Sequence, residues 1–167
     1  IGCNSKEEEI LPVRYRVTFT FHWNSHDFPL AYPSNAHFSK LIGWSHVSST
    51  SFFKEGTLAS EGIEMMAEFG ATTPLDEEIN SMIGAGEGLE LVIGDYLNSG
   101  TGNINVELQI NRKFSAITLA TMLAPSPDWY VAVVNINLLE DGEFIHEKVV
   151  EGVVYEGISR GDTQTRS

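Results

Sequence analysis

Cysteine is almost absent from this chain of 167 residues: one occurs, at position 3. A single thiol cannot close an internal disulfide, so a disulfide-stapled domain is excluded. Basic residues are also scarce, with 10 Lys and Arg against 23 Asp and Glu and a formal charge of −13. Nucleic-acid binders neutralise phosphates with Lys and Arg, so that class is excluded too, and divalent cations are the better-suited partners. No run approaches the roughly 20 apolar residues of a membrane-spanning helix. No repeat of about 20–50 residues appears either. What remains is 42% hydrophobic and 20% charged, the composition of one folded domain with a real core.

The first eleven residues are polar and read as a flexible tether, with a single domain expected over 12–167. From Val13 the pattern alternates strictly: Val13, Tyr15, Val17, Phe19 and Phe21 on one face, Arg14, Arg16, Thr18 and Thr20 on the other. That is a half-buried strand. Ile104, Val106, Leu108 and Ile110 repeat the pattern, and further strands are expected over 116–123, 130–138, 144–155 and the short run 89–93. Two helices are expected between the first strand and that run. One spans 57–69 and stops at Gly70; the other is capped by Thr73, with Pro74 at its first position and Asp76, Glu77 and Glu78 in its first turn. The fold class is therefore all-β, an antiparallel β-sandwich with one or two short helices inserted after the first strand.

Four of the five histidines fall early, His22, His26, His37 and His46, with Asp27 beside them. Metal-dependent hydrolases bring His and carboxylates together, so a metal-assisted hydrolase using His22, His26, Asp27 and His46 is the enzymatic alternative. Helical His pairing is missing, and ordinary hydrogen-bonded loop histidines account for the same residues. No Gly-x-Ser-x-Gly elbow occurs, Cys3 is too terminal for a nucleophile, and Gly84, Gly86 and Gly88 lack the Lys of a phosphate loop. A non-catalytic module is expected. Pro125 and Pro127 stiffen the loop Ala124-Pro125-Ser126-Pro127-Asp128-Trp129, from which Asp128 either helps to hold Ca²⁺ or caps its own turn. Trp44, Trp129 and Tyr130 are candidates for a contact surface, with a core position favoured for Trp129. Asn137, after the same strand, is a further oxygen donor to consider. The triplet Arg160-Gly161-Asp162 matches an integrin-type ligand or is a coincidence of three residues.

Four blocks resemble the spondin N-terminal (F-spondin/mindin) domain family. They are Tyr15 to Phe19 leading to Trp23-Asn24-Ser25 and Phe28-Pro29; Phe38 to His46; Gly56 to Gly62 with Met66 to Gly70; and Ala124 to Trp129. They run in the family's order over residues 12–156. The resemblance implies a C2-like sandwich and a non-catalytic extracellular adhesion module, with cell-matrix and integrin contacts in animal relatives. It also implies a Ca²⁺ site made by the Asp of the Ser-Pro-Asp-Trp loop and two Asp residues of a later segment. Carried across, these positions fall on Asp128, Glu156 and Arg160. Arg160 cannot ligate; a shift of register brings in Asp162 or Ser159 instead, or the Arg charge replaces the metal. The expected metal residues are thus Asp128, Glu156 and Asp162.

Ile1-Gly2-Cys3 resembles the end of a bacterial lipoprotein signal, with Cys3 as the lipidated residue, although a stray terminal Cys reads the same way. The animal relatives carry cysteines that this chain lacks. Together these features suggest a bacterial member on the outer membrane or cell surface, or an extracellular one. A protein or glycan ligand is then expected, and contact with membrane only through Cys3.

Overall fold

The computed structural model describes residues 11–54 and 56–157. Strand β1 (Val13–His22) pairs antiparallel with β5 (Thr101–Ile110) over ten residues, from Val13 opposite Ile110 to His22 opposite Thr101. Both strands alternate because one face meets the core and the other meets water: Arg16, Thr18, Asn105 and Glu107 point outward. Above this ribbon lies a second sheet in the order β10-β7-β6-β3-β4. It comprises β10 (Val153–Glu156), β7 (Trp129–Asn137), β6 (Ala116–Ala124), β3 (Ile42–His46) and β4 (Gly88–Ile93), with β2 (His37–Phe38) beside β6. A small hairpin, β8 (Leu139–Glu140) with β9 (Glu143–Phe144), completes the strands.

The second sheet is covered on both faces. Phe19, Phe21, Ile104, Val106 and Leu108 of the ribbon pack on Leu119 and Val133. On the opposite face Trp44, Ile42, Ala120 and Ala132 meet Ile63, Met66, Leu75 and Ile79 of two helices, α1 (Glu61–Phe69) and α2 (Leu75–Gly84). The β3 strand is buried at every position, so it has no polar face and no alternation. The glutamate Glu90 of β4 accepts a hydrogen bond from the Gln109 amide of β5, tying the two sheets together along an otherwise open edge.

The result is an antiparallel β-sandwich with two helices inserted between the first strand and the run 89–93, as expected, with β2 and β3 preceding them. The expected strand over 144–155 is confined to β9 and β10, with an irregular stretch between them. Helix α1 begins at Glu61, later than the pattern suggested, because Ser60 caps it by accepting from the Ile63 amide, and it ends at Gly70 with φ 66°. Thr73 is not the cap of α2. Pro74 takes that position, and the Thr73 hydroxyl donates to the Asp76 carboxylate at 3.0 Å instead.

One carboxylate joins the helices. Glu78 of α2 accepts from the Ser60 hydroxyl at 2.6 Å and from the Gly62 amide at 2.8 Å, so it caps α1 from outside. Gly62 permits the approach: a Cβ there would sit 2.6 Å from the Leu75 Cα. Removing Glu78 leaves half-buried donors without their charged acceptor. Glu78→Ala is expected to cost about 1.5–3 kcal/mol. A thermal melt should then show a Tm lower by roughly 5 °C, and an unchanged Tm would contradict the clamp.

Candidate functional site: the loop end of the sandwich

Three connections meet at one end. The loop 23–36 leaves β1 and returns at β2, whose His37 pairs with Ala124 at the end of β6. The loop 94–100 lies against it: the Trp23 amide donates to the Gly100 carbonyl at 2.9 Å, and Phe38 bridges to Leu97. The turn 125–128 then follows β6 directly.

Each loop is held by its own chemistry. In the first, the Asn24 side chain accepts from the His26 and Asp27 amides, and its Nδ2 donates to the Asp27 carboxylate at 2.7 Å. The Trp23 ring meets Tyr32 edge-on at 5.6 Å and anchors the base. Beyond that base the apolar tips face water: Leu30 is fully exposed, and Phe28 and, on the neighbouring loop, Tyr96 are about half exposed. In the turn 125–128, Ser126 does the fixing. Its hydroxyl donates to the Leu123 carbonyl and accepts from the Trp129 amide at 3.0 Å, so the chain reverses with Asp128 placed just before β7.

The backbones around Asp128 and Glu156 meet where β7 begins and β10 ends. Glu156 pairs with Trp129, and the Gly157 amide donates to the Asp128 carbonyl at 2.8 Å. Asp128, in the turn before β7, is thus one residue out of register with Glu156, and its Cβ lies on the side of Gly157, 3.9 Å from where a Cβ on that glycine would sit. Asp162, Ser159, Arg160 and the whole Arg160-Gly161-Asp162 triplet lie outside the described residues, as does Cys3. Among the described residues no group of three His, Cys, Asp or Glu is placed to hold a metal. Asn137 belongs to the opposite end of β7, where it pairs with Ala116 and accepts from the Ser115 hydroxyl.

The histidine grouping of the hydrolase alternative is not formed. His22, His26 and Asp27 are exposed at the loop end, and His37 donates from Nδ1 to the Asn35 carbonyl. His46 sits at the far end of β3, fully buried and stacked on Trp44. Of the three aromatic candidates for a contact surface, Trp44 and Tyr130 are core residues, and Trp129 is the exposed one at 42%. The core position favoured for Trp129 is thus corrected. Tyr130 fills the helix-side core, where burial pushes its pKa up and Tyr155 stacks on it at 5.5 Å. The residues that sequence reasoning missed are Leu30 and Tyr96, single apolar residues within loops that carry no periodic signal.

The molecule is a helix-covered antiparallel sandwich with a loop end rich in exposed aromatic and apolar side chains. Its residues 13–167 match the Spondin_N family, and the chain belongs to it. It is 32% identical to Spondin-2 of Rattus norvegicus over 145 residues, 83% of this chain and 43% of that protein. Against Spondin-2 of Homo sapiens it is 31% identical over 150 residues, 86% of this chain and 44% of that protein. With Spondin-1 of Rattus norvegicus it shares 32% identity over 127 residues, 72% of this chain and 16% of that protein. The chain thus spans less than half the length of these relatives.

Proposed function

We propose that this domain is a non-catalytic adhesion module of the cell surface or extracellular space that binds a protein or glycan through its loop end. The observation that supports this most is Leu30, a fully exposed apolar side chain on a loop fastened by Asn24 and Trp23. Exposed apolar residues on a rigid, positioned loop mark contact surfaces, and Phe28, Tyr96 and Trp129 extend the same end. A Ca²⁺ ion held by Asp128 and Glu156, with Asp162 as third carboxylate, would brace the turn 125–128 against the end of β10 by neutralising their charges. Anchorage through a lipid on Cys3, at a bacterial outer membrane, belongs to the same proposal.

The contact surface is tested by cell adhesion to immobilised protein. Leu30→Asp combined with Tyr96→Ser should reduce adhesion at least tenfold, about 1.4 kcal/mol of contact energy, while the Tm stays within a degree or two. Adhesion equal to that of the unaltered protein would overturn this choice of surface.

A further inference from the structure

The binding reading makes no use of His46, whose ring is buried in the helix-side core and lies 4.8 Å from that of Trp44. Its protonation state follows from its partners. Nδ1 lies 2.7 Å from the Val47 carbonyl, which can only accept, so Nδ1 carries the proton. Nε2 is then an acceptor, and the Thr118 hydroxyl, 2.8 Å away, donates to it. Thr118 Oγ1 in turn accepts from the Asn135 amide at 2.9 Å and from the Ser51 hydroxyl at 3.1 Å. Its one proton and both lone pairs are used.

A proton added to Nε2 meets an oxygen already full. Thr118 can accept it only by turning its own proton toward Ser51, which reverses the Ser51 bond. Among the described residues, no hydrogen-bonding partner of His46 carries a charge. The described partners of His46 and of its hydrogen-bond chain are Trp44 and Val47 beside it on β3 and the following loop, Gly88 on β4, Ala116 and Thr118 on β6, Asn135 through Thr118 on β7, and Ser51 from the loop after β3. None is ionisable. Glu87 meets this corner through its backbone carbonyl, which accepts from the Val47 amide. Burial lowers the His46 pKa, opposed by the Val47 carbonyl. A folded value below the unfolded one of about 6.5 means that the unfolded chain protonates first. The stabilisation is therefore complete above about pH 6.5 and is lost as pH falls from there.

Thr118 and Asn135 belong to paired strands, so the partner that can yield is Ser51. We propose that this corner is an acid-sensitive latch: protonation of His46 reverses the bond between Thr118 and Ser51, strips the Ser51 hydroxyl proton of its acceptor, and so loosens the segment that follows β3. That segment carries Phe52 into the core and sets Phe53 edge-on against Tyr130 at 5.5 Å and Tyr155 at 5.1 Å. Loosening it removes the support of β10. The latch stands independently of any ligand at the loop end.

Hydrogen exchange read by mass spectrometry at pH 7.5 and 5.5, corrected for the intrinsic pH dependence of exchange, tests it. Segments 47–60 and 150–157 should lose protection at pH 5.5, by up to tenfold for each pH unit below about 6.5, while the β1–β5 ribbon keeps its protection. His46→Gln keeps a neutral acceptor for Thr118 and should abolish the acid response. Ser51→Ala lies in a half-buried loop outside the strands; it should fold normally and expose 47–60 already at pH 7.5. Unchanged protection in the unaltered protein would overturn the latch. So would equal loss over all segments, or an acid response of full size in either variant. If His46→Gln does not fold, Ser51→Ala decides alone, because it leaves His46 and every other histidine in place.

Discussion

Gly43→Ala is expected to destabilise the domain by about 3 kcal/mol or more, near the top of what a single added methyl does. Gly43 lies in the middle of β3, paired with Leu119 of β6 and Val92 of β4. A Cβ there would press on the Thr118 carbonyl oxygen and come within 2.8 Å of the Leu119 Cα. Both are backbone atoms of a strand buried on both faces, so the neighbour cannot turn aside. The β3–β6 spacing has to widen, and with it the core on either side. For a domain of this size the Tm should fall by about 10 °C. Gly84 is the control, since a Cβ there meets nothing within 4 Å; Gly84→Ala should change stability by no more than about 0.5–1 kcal/mol. Equal, small effects at both positions would contradict the packing described.

Thr118→Val is expected to cost about 2–4 kcal/mol although it keeps the side-chain shape. The methyl leaves the buried Nε2 of His46 without a partner, which costs roughly 1–3 kcal/mol, and it removes the bond that the Asn135 amide donates, worth about 0.5–1.5 kcal/mol. The Asn135 amide matters in particular. That residue adopts φ 52° beside the register slip in β6 between Ile117 and Leu119, and the Thr118 hydroxyl holds it there. Urea unfolding should show a lower midpoint with an unchanged slope. A midpoint shift worth less than about 0.5 kcal/mol would show that the hydroxyl is not the hub of this corner.

The sequence announced the ribbon because its strands have one dry and one wet face, which is what alternation records. It was silent on β3, where Ile42, Trp44, Ser45 and His46 are all buried and no period distinguishes inside from outside. Trp44 and Trp129 exchange their expected positions for the same reason: residue type alone does not say which face of a strand is covered. The loop 124–129 was legible through family resemblance, whereas the Ser126 hydroxyl that shapes the turn was not, because its two partners are backbone atoms. Leu30 and Tyr96 gave no signal. A lone apolar residue in a polar loop looks the same whether it folds inward or projects.

The proposal that a Ca²⁺ ion braces the turn 125–128 at the recognition end is tested most directly by a thermal melt with and without Ca²⁺, repeated on Asp128→Ala. An ion bound only to the folded state adds about 2.7 kcal/mol at a hundredfold excess over its dissociation constant. The account predicts a rise in Tm of roughly 5–10 °C for the unaltered protein and none for Asp128→Ala. A Tm that ignores Ca²⁺ in both, or a rise that survives the substitution, would contradict it.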